Sequence, residues 1–399
     1  MRALTVINQQ YPPEVASTGQ IFCAISEYMA AHGWDVTVAT GTPYYPGMQK
    51  KAPRREEMGG VHVRRLWNTT FSKRSFLGKL LNLLTFEMSL LVHCVLRIGK
   101  DQTVLVATAP PMAVLCTAIG RFFRRYRVVM TVQDLYPDVL AASGMSRPDS
   151  LSYRMLYGLM RRAMRSCRRV ATISTDMQRH LQQDYGLEGV ALIPNLFPQI
   201  IVPRDSADCK QGRGWQEKLV VQYSGNFGVA HEYETLLGAA RLLRREPDIL
   251  FQIAGAGSNY DKFRDACRAQ GLENVVFEGY APMNRLESHL GTADVSVVVL
   301  SKAFRDVLLP SKYYGILASG RGVLLISGCV SDITRDIRRE GVGLCFDHGQ
   351  SEELAGALRA LRDDPAQVKE MGRRARALYE ARYGRQAILE AYDALLKQA

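Results

Sequence analysis

The chain has 399 residues, 47% of them hydrophobic and 23% charged, with a formal net charge of +12. That length exceeds the roughly 250–300 residues at which a single core stops growing, so two domains are expected, and the apolar content excludes a disordered chain. Eight scattered cysteines show no CxxC or Cys/His ligand spacing, which excludes a structural zinc framework and suits a reduced, cytosolic setting.

The first residues, MRALTVINQQYPPE, hold one basic side chain and a short apolar run, so they read as a first strand and not as a signal peptide. No stretch reaches about 18 uninterrupted apolar residues, and no bilayer span is expected. Strand-like runs follow at 3–8, 35–40, 103–108, 127–132 and 169–174, separated by helix-period stretches such as 20–32 and 152–165. Alternation of this kind predicts a parallel sheet covered by helices on both faces. The polar, aperiodic segment 198–217 reads as a linker between domains 1–197 and 218–380. Beyond it the pattern repeats at 218–225, 249–255, 275–280, 295–300 and 322–327. The final stretch, 381–399, is helical, and the sequence leaves open whether it caps the second domain or crosses back to the first.

In parallel sheets ligands bind beyond the carboxyl ends of strands. After the first strand, QQYPPEVASTGQ places Ser17, Thr18 and Gly19 at a helix start, where free N–H groups and the helix dipole suit a phosphate, or where an ordinary cap would sit. TVQDLYPDVL puts Gln133, Asp134 and Asp138 past another strand, as a base, a hydroxyl-orienting group or a turn cap. YSGNFGVAHEY brings Gly225, Asn226, Gly228 and His231 to a strand end, with Asn226 and His231 as candidate donors to a diphosphate. IAGAGSNY adds Gly255 and Gly257. Last comes LLPSKYYGILASG, in which Ser311 and Lys312 follow Pro310 into a helix; a lysine there opposes the dipole unless an anion binds.

Basic side chains gather in the first half: Lys73, Arg74 and Lys79 at the head of an apolar helical stretch, Arg97 and Lys100 at its tail, then the clusters 121–127 and 161–169. Basic groups beside an apolar helix suit an anionic membrane surface, with a buried core helix as the alternative. No nucleic-acid-binding motif accompanies them, so nucleic acid is not an expected partner.

Taken in order, YPPE…STGQ, QDLYPD, ISTDMQRHL, LIPN, YSGNFG…H, IAGAG…VVFEGY and PSKYYGILASG resemble the nucleotide-sugar glycosyltransferases of family 4, especially bacterial surface-polysaccharide enzymes, over nearly the whole chain. The resemblance implies an α/β GT-B fold: two Rossmann-like domains facing a cleft, with C-terminal helices. It further implies a retaining enzyme of the EC 2.4 class with no metal and no cofactor, moving a sugar from a nucleotide diphosphate donor to a lipid-linked or oligosaccharide acceptor, at the cytoplasmic face of the plasma membrane. Donor-binding residues carried over are Gly19, Gly225, Asn226, Gly228, His231, Gly255, Gly257, Tyr280, Ser311 and Lys312, with Asp134 and Lys312 as the catalytic pair.

The chain departs from the pattern that the resemblance implies. The family's strand-end His-Asp is Gln133-Asp134; its Gly-Arg is Gly225-Asn226, and His231 lies near its following lysine, so both phosphate cations are replaced; and its paired glutamates fall at Val307 and Gly315, with Asp306 one residue from the first. Family enzymes are pictured as using same-face displacement assisted by the leaving diphosphate, for which a cation suffices. Alternatives are a GT-B sugar-nucleotide epimerase and a non-catalytic nucleotide-sugar-binding partner.

Overall fold

Runs of Val, Ile, Leu and Thr bounded by turn residues form the strands. In the computed structural model, which describes residues 2–14, 16–43, 52–71 and 76–399, they build two sheets. Two compact units result: Met1–Pro198 with Asp306–Leu309 and Arg385–Ala399, and Gln199–Arg305 with Pro310–Gly384. Lys73 and Arg74 of the basic helix head lie outside the described residues.

The first unit runs β1 (Arg2–Ile7), α1 (Ser17–Ala31), β2 (Trp34–Thr40), β3 (Arg55–Met58), β4 (Val61–Arg65), α2 (Phe76–Leu96), β5 (Thr103–Ala107), α3 (Ala113–Arg124), β6 (Arg127–Val132), α4 (Asp138–Ala142), α5 (Leu151–Ser166), β7 (Arg169–Thr172), α6 (Thr175–Gln183) and β8 (Ala191–Leu192). Its strand order is β3-β4-β2-β1-β5-β6-β7-β8, with β3 antiparallel to β4 and every other pair parallel. Central strands covered on both faces need apolar side chains at successive positions, and β5 is buried throughout. The β3–β4 hairpin is not among the strands expected from sequence. Its turn uses Gly59 and Gly60 at φ +55° and +75°, conformations open to glycine, while the charged, partly exposed Arg55, Glu56 and Glu57 carry no apolar run.

The second unit contains α7 (Ser206–Lys210), β9 (Leu219–Asn226), α8 (Glu234–Leu242), β10 (Ile249–Ala256), α9 (Ser258–Ala269), β11 (Val275–Glu278), α10 (Leu286–Gly291), β12 (Val295–Leu300), α11 (Lys312–Ala318), β13 (Gly322–Ser327), α12 (Asp332–Glu340), β14 (Gly343–Phe346), α13 (Ser351–Asp363) and α14 (Pro365–Leu378). Its all-parallel sheet is ordered β11-β10-β9-β12-β13-β14.

The expected linker differs from the structure. From Gln199 onward it belongs to the second unit, and within it Asp205 caps the short α7. The Lys210 ammonium is buried, 2.6 Å from Asp294 and 2.9 Å from the Lys218 carbonyl oxygen. Five helical residues are too few to display a period, and a buried ion pair looks like surface polarity in a sequence. After a π-helical turn at Tyr379–Tyr383, α15 (Arg385–Lys397) packs in the first unit. There Ile388, Leu389 and Tyr392 join Leu4, Val6 and Phe22 in one core. The Tyr392 and Thr131 hydroxyls lie 3.0 Å apart, and Trp34 Nε1 donates to Asp393 at 2.9 Å.

Candidate active site

Strand order locates the crevice of a parallel sheet where it reverses. In the second unit that point lies between β9 and β12, and those two strands lead into most of the residues singled out above. Gly225 and Asn226 end β9, with Gly228 and His231 in the loop beyond; Ser311 and Lys312 follow β12 at the head of α11. The neighbouring β10 ends at Gly255 and Ala256, and Gly257 opens α9.

The glycines allow two backbone turns to stack. A Cβ on Gly255 (φ +137°) would lie 2.0 Å from the Gly225 carbonyl oxygen, and one on Gly257 (φ +141°) 2.5 Å from that of Phe227. No side chain fits either place, and both φ values disfavour any other residue. Asn259 locks the arrangement, its N–H donating to the Phe227 carbonyl at 2.9 Å and its amide to the His231 carbonyl at 2.8 Å.

Lys312 reaches across to this turn. Its Nζ donates to the Tyr223 hydroxyl and stands 4.0 Å from the Tyr223 ring centroid. It also lies 3.4 Å from both the Asn226 carbonyl oxygen and His231 Nε2. Tyr223 donates its own O–H to the Asn226 carbonyl at 2.7 Å. Burial pushes the Lys312 ammonium down to about 7, with no carboxylate acting on it among the described residues. Burial first, and the Lys312 charge second, push His231 down to about 3. The imidazole is therefore neutral near pH 7, with Nδ1–H donating to the Gly228 carbonyl at 3.3 Å and Nε2 accepting from Lys312. His231, expected as a donor to a diphosphate, here accepts from the lysine through Nε2.

Ser311 is the residue before α11, and its hydroxyl makes no capping bond. Tyr280 lies just past β11, largely exposed, close enough to Tyr223 for its phenol to act electrostatically on it. Tyr223 was not singled out from sequence. Its signal was available: a tyrosine on the core-facing register of β9, shared with Val221, needs a partner for its hydroxyl at the strand end.

Gly19 and Asp134 belong to the first unit. A Cβ on Gly19 would lie 3.1 Å from the Gln10 carbonyl carbon and oxygen, so α1 starts hard against the loop after β1. Asp134 follows β6, its N–H donating to Thr108 Oγ1 at 3.2 Å. Desolvation pushes its carboxyl up to about 6, although the side chain is open to solvent; crowding by surrounding protein weakens its hydration without sealing it off. Gln133, where the resemblance places a histidine, is buried and donates to Asn195 Oδ1 at 3.2 Å. Asp138 is occupied structurally, accepting from the Tyr185 and Tyr153 hydroxyls and lying 3.1 Å from His180 Nε2.

The two positions where the resemblance places glutamates are buried. Val307 is buried and its carbonyl accepts from the Leu135 N–H at 2.9 Å, both within the first unit. Gly315 is buried inside α11.

A family model described as glycosyl transferase 4-like domain matches residues 18–195, and one described as glycosyl transferases group 1 matches 207–378. The chain is 26% identical to the putative colanic acid biosynthesis glycosyl transferase WcaI of Escherichia coli K12, over 89% of this chain and 91% of that protein. Among solved structures, sucrose-phosphate synthase from Thermosynechococcus elongatus superposes with a TM-score of 0.78 at 17% identity, over 100% of this chain and 99% of that one. HepE of Anabaena, solved with UDP-glucose, superposes at 0.69 and 15% identity over 100% of both chains.

Proposed function

Because the chain belongs to the family 4 glycosyltransferases of the GT-B fold, we propose that it transfers a sugar from a nucleotide diphosphate sugar to a lipid-linked saccharide in envelope polysaccharide assembly, retaining configuration without a metal ion. One observation carries this reading: an ammonium with no carboxylate partner among the described residues is aimed at stacked glycine turns, at the reversal point of the second unit's sheet. Relatives support the choice of substrates. WcaI is named for colanic acid biosynthesis, and HepE was solved with UDP-glucose.

In this reading the diphosphate lies against the Gly225 to Gly228 turn and Lys312, with Ser311 and the Gly257 turn beside it. As the bond from the sugar C1 to the diphosphate oxygen breaks, its electron pair stays on the diphosphate, where the ammonium stabilises the growing charge. The acceptor oxygen bonds to C1 on the same face, and its proton passes to the departing phosphate. Asp134 orients the acceptor hydroxyl or the donor sugar. The setting is the cytoplasmic membrane face, where a lipid-linked acceptor is found.

The test is thermal stabilisation by a panel of UDP-, GDP- and dTDP-sugars, followed by nucleotide release with polyprenyl-linked saccharides. Stabilisation by one nucleotide class and acceptor-dependent release are expected. Epimerised donor in the absence of acceptor, or binding with no turnover on any acceptor, overturns the transferase reading.

A further inference from the structure

The helix layer of the first unit made by α2, α3 and α5 has an outward surface that the proposed chemistry does not use. Along α2, Leu77, Leu81, Leu84, Met88, Val92 and Leu96 are all exposed. They recur every three or four residues, and so form one stripe along a helix about 30 Å long. The opposite face holds Phe86, Leu90 and Cys94 at 0% exposure. By length and composition α2 could cross a bilayer, but doing so would draw those three side chains out of the unit's core. The helix therefore presents its stripe lying flat.

Its neighbours extend the surface. α3 packs against both α2 and α5 and exposes Phe122 and Phe123 at its end, with Phe122 at 83%. α5 exposes Leu151, Met155 and Leu159, again four residues apart, with Leu151 at 83%. Side chains of this size on adjacent helices make an apolar area well beyond the scattered exposure normal for a soluble surface.

Charge identifies what covers it. The three helices contain a single acidic residue, Glu87, and it is buried. It accepts from the Met112 N–H at 3.1 Å and from the Cys116 thiol at 3.2 Å. Exposed basic groups surround the apolar stripes: Lys79 on α2, Arg97 and Lys100 just beyond it, and Arg154, Arg162 and Arg165 on α5. A second copy of the chain docked through this face would oppose basic groups to basic groups. An acidic, apolar-cored surface is the complement, and a bilayer carrying anionic headgroups supplies both properties at once.

We propose that the α2–α3–α5 face is a monotopic docking surface for anionic lipid, the apolar stripes entering the headgroup boundary and the arginines lying among the headgroups. The proposal rests on the membrane-side setting of the reading above and gives it a structural location; binding is read without any turnover. The experiment is flotation of the full chain with vesicles of phosphatidylcholine alone or with about 30% phosphatidylglycerol, at about 0.1 M and about 0.5 M salt. Wild type should float with the anionic vesicles, less at high salt. Leu81→Ser/Met88→Ser/Val92→Ser, all at exposed positions, should lower partitioning at least about ten-fold on every vesicle. Arg154→Ala/Arg162→Ala should lower it about 25-fold, at roughly five-fold per charge, on anionic vesicles only. Circular dichroism and stabilisation by nucleotide sugar verify that each variant is folded. Wild type left unbound by all vesicles, or folded variants that float as wild type does, overturns the proposal. So does a wild-type dimer in light scattering that the serine variant abolishes, which would assign the face to a second copy. Retained docking with no sugar transfer would instead refute the proposed function and leave the surface standing.

Discussion

Lys312 makes donor binding depend on pH in a direction that can be worked out. Its ammonium titrates near 7 in the unliganded protein because burial penalises the charged form. A bound diphosphate brings negative charge to that ammonium and raises its pKa. Binding thus takes up a proton between the free and bound pKa values: affinity is full below about pH 7 and is lost as pH rises. The unliganded protein binds more weakly by a factor 1 + 10^(pH − pKa), which is about 2 at pH 7 and about 100 at pH 9, so affinity should fall roughly 50-fold across that interval. A nucleotide diphosphate sugar is the right ligand, since its diphosphate is esterified at both ends and does not itself titrate there. Calorimetry at pH about 8, in two buffers of different ionisation enthalpy, should count close to one proton taken up. Lys312→Arg, whose guanidinium stays charged, should bind with a flat profile. Lys312→Met should bind weakly and equally flatly. A wild-type affinity constant from pH 7 to 9, or a methionine variant that keeps the wild-type slope, refutes the assignment of Lys312 to the diphosphate.

Four further outcomes follow from the same geometry. Tyr223→Phe removes the hydroxyl that accepts from Lys312 and donates to Asn226, so donor affinity should drop about 3- to 10-fold while the ring still faces the ammonium; an unchanged dissociation constant counts against it. His231, pushed down to about 3, should keep the nitrogen shifts of a neutral imidazole from pH 5 to 9 in two-dimensional NMR, apart from the smaller change that follows deprotonation of Lys312. Asp134, pushed up to about 6, is ionised above that pH. Turnover should therefore fall on the acid side with a midpoint near 6, and Asp134→Asn should lower it about 100-fold and remove that limb. Gly255→Ala would drive a Cβ to 2.0 Å from the Gly225 carbonyl, and should lower the apparent Tm by roughly 5 °C or more, or prevent soluble expression.

How much was legible in the sequence depends on what each residue had to reveal. Strands buried on both faces announce themselves, since β5 and β12 have no exposed position; the charged β3 at the sheet edge does not. Glycine turns were visible as glycines, but their purpose was not. That Gly255 exists to let the Gly225 carbonyl pass depends on the β9–β10 register, in which the two glycines are partners, and register is a tertiary fact. Tyr223 shows the same limit: its hydroxyl matters because Lys312, 89 residues later, comes to rest on it.

The missing glutamates gain meaning from this arrangement. Val307 and Gly315 are buried positions, the first accepting through its carbonyl from the Leu135 N–H and the second inside a short helix, and neither supplies a carboxylate. Lys312 is surrounded instead by a phenol, a carbonyl and a neutral imidazole. Those groups orient an ammonium without cancelling its charge. A carboxylate beside it would hold its proton firmly in the empty state and compete with an incoming anion; neutral partners leave the lysine poorly stabilised until an anion arrives. With neutral partners alone, the cost of charging Lys312 falls on the binding step. A folded Gly315→Glu variant should raise the lysine's pKa and flatten the pH dependence of binding. A folded Gly315→Glu protein that kept the full wild-type slope would show that position 315 has no electrostatic access to the ammonium.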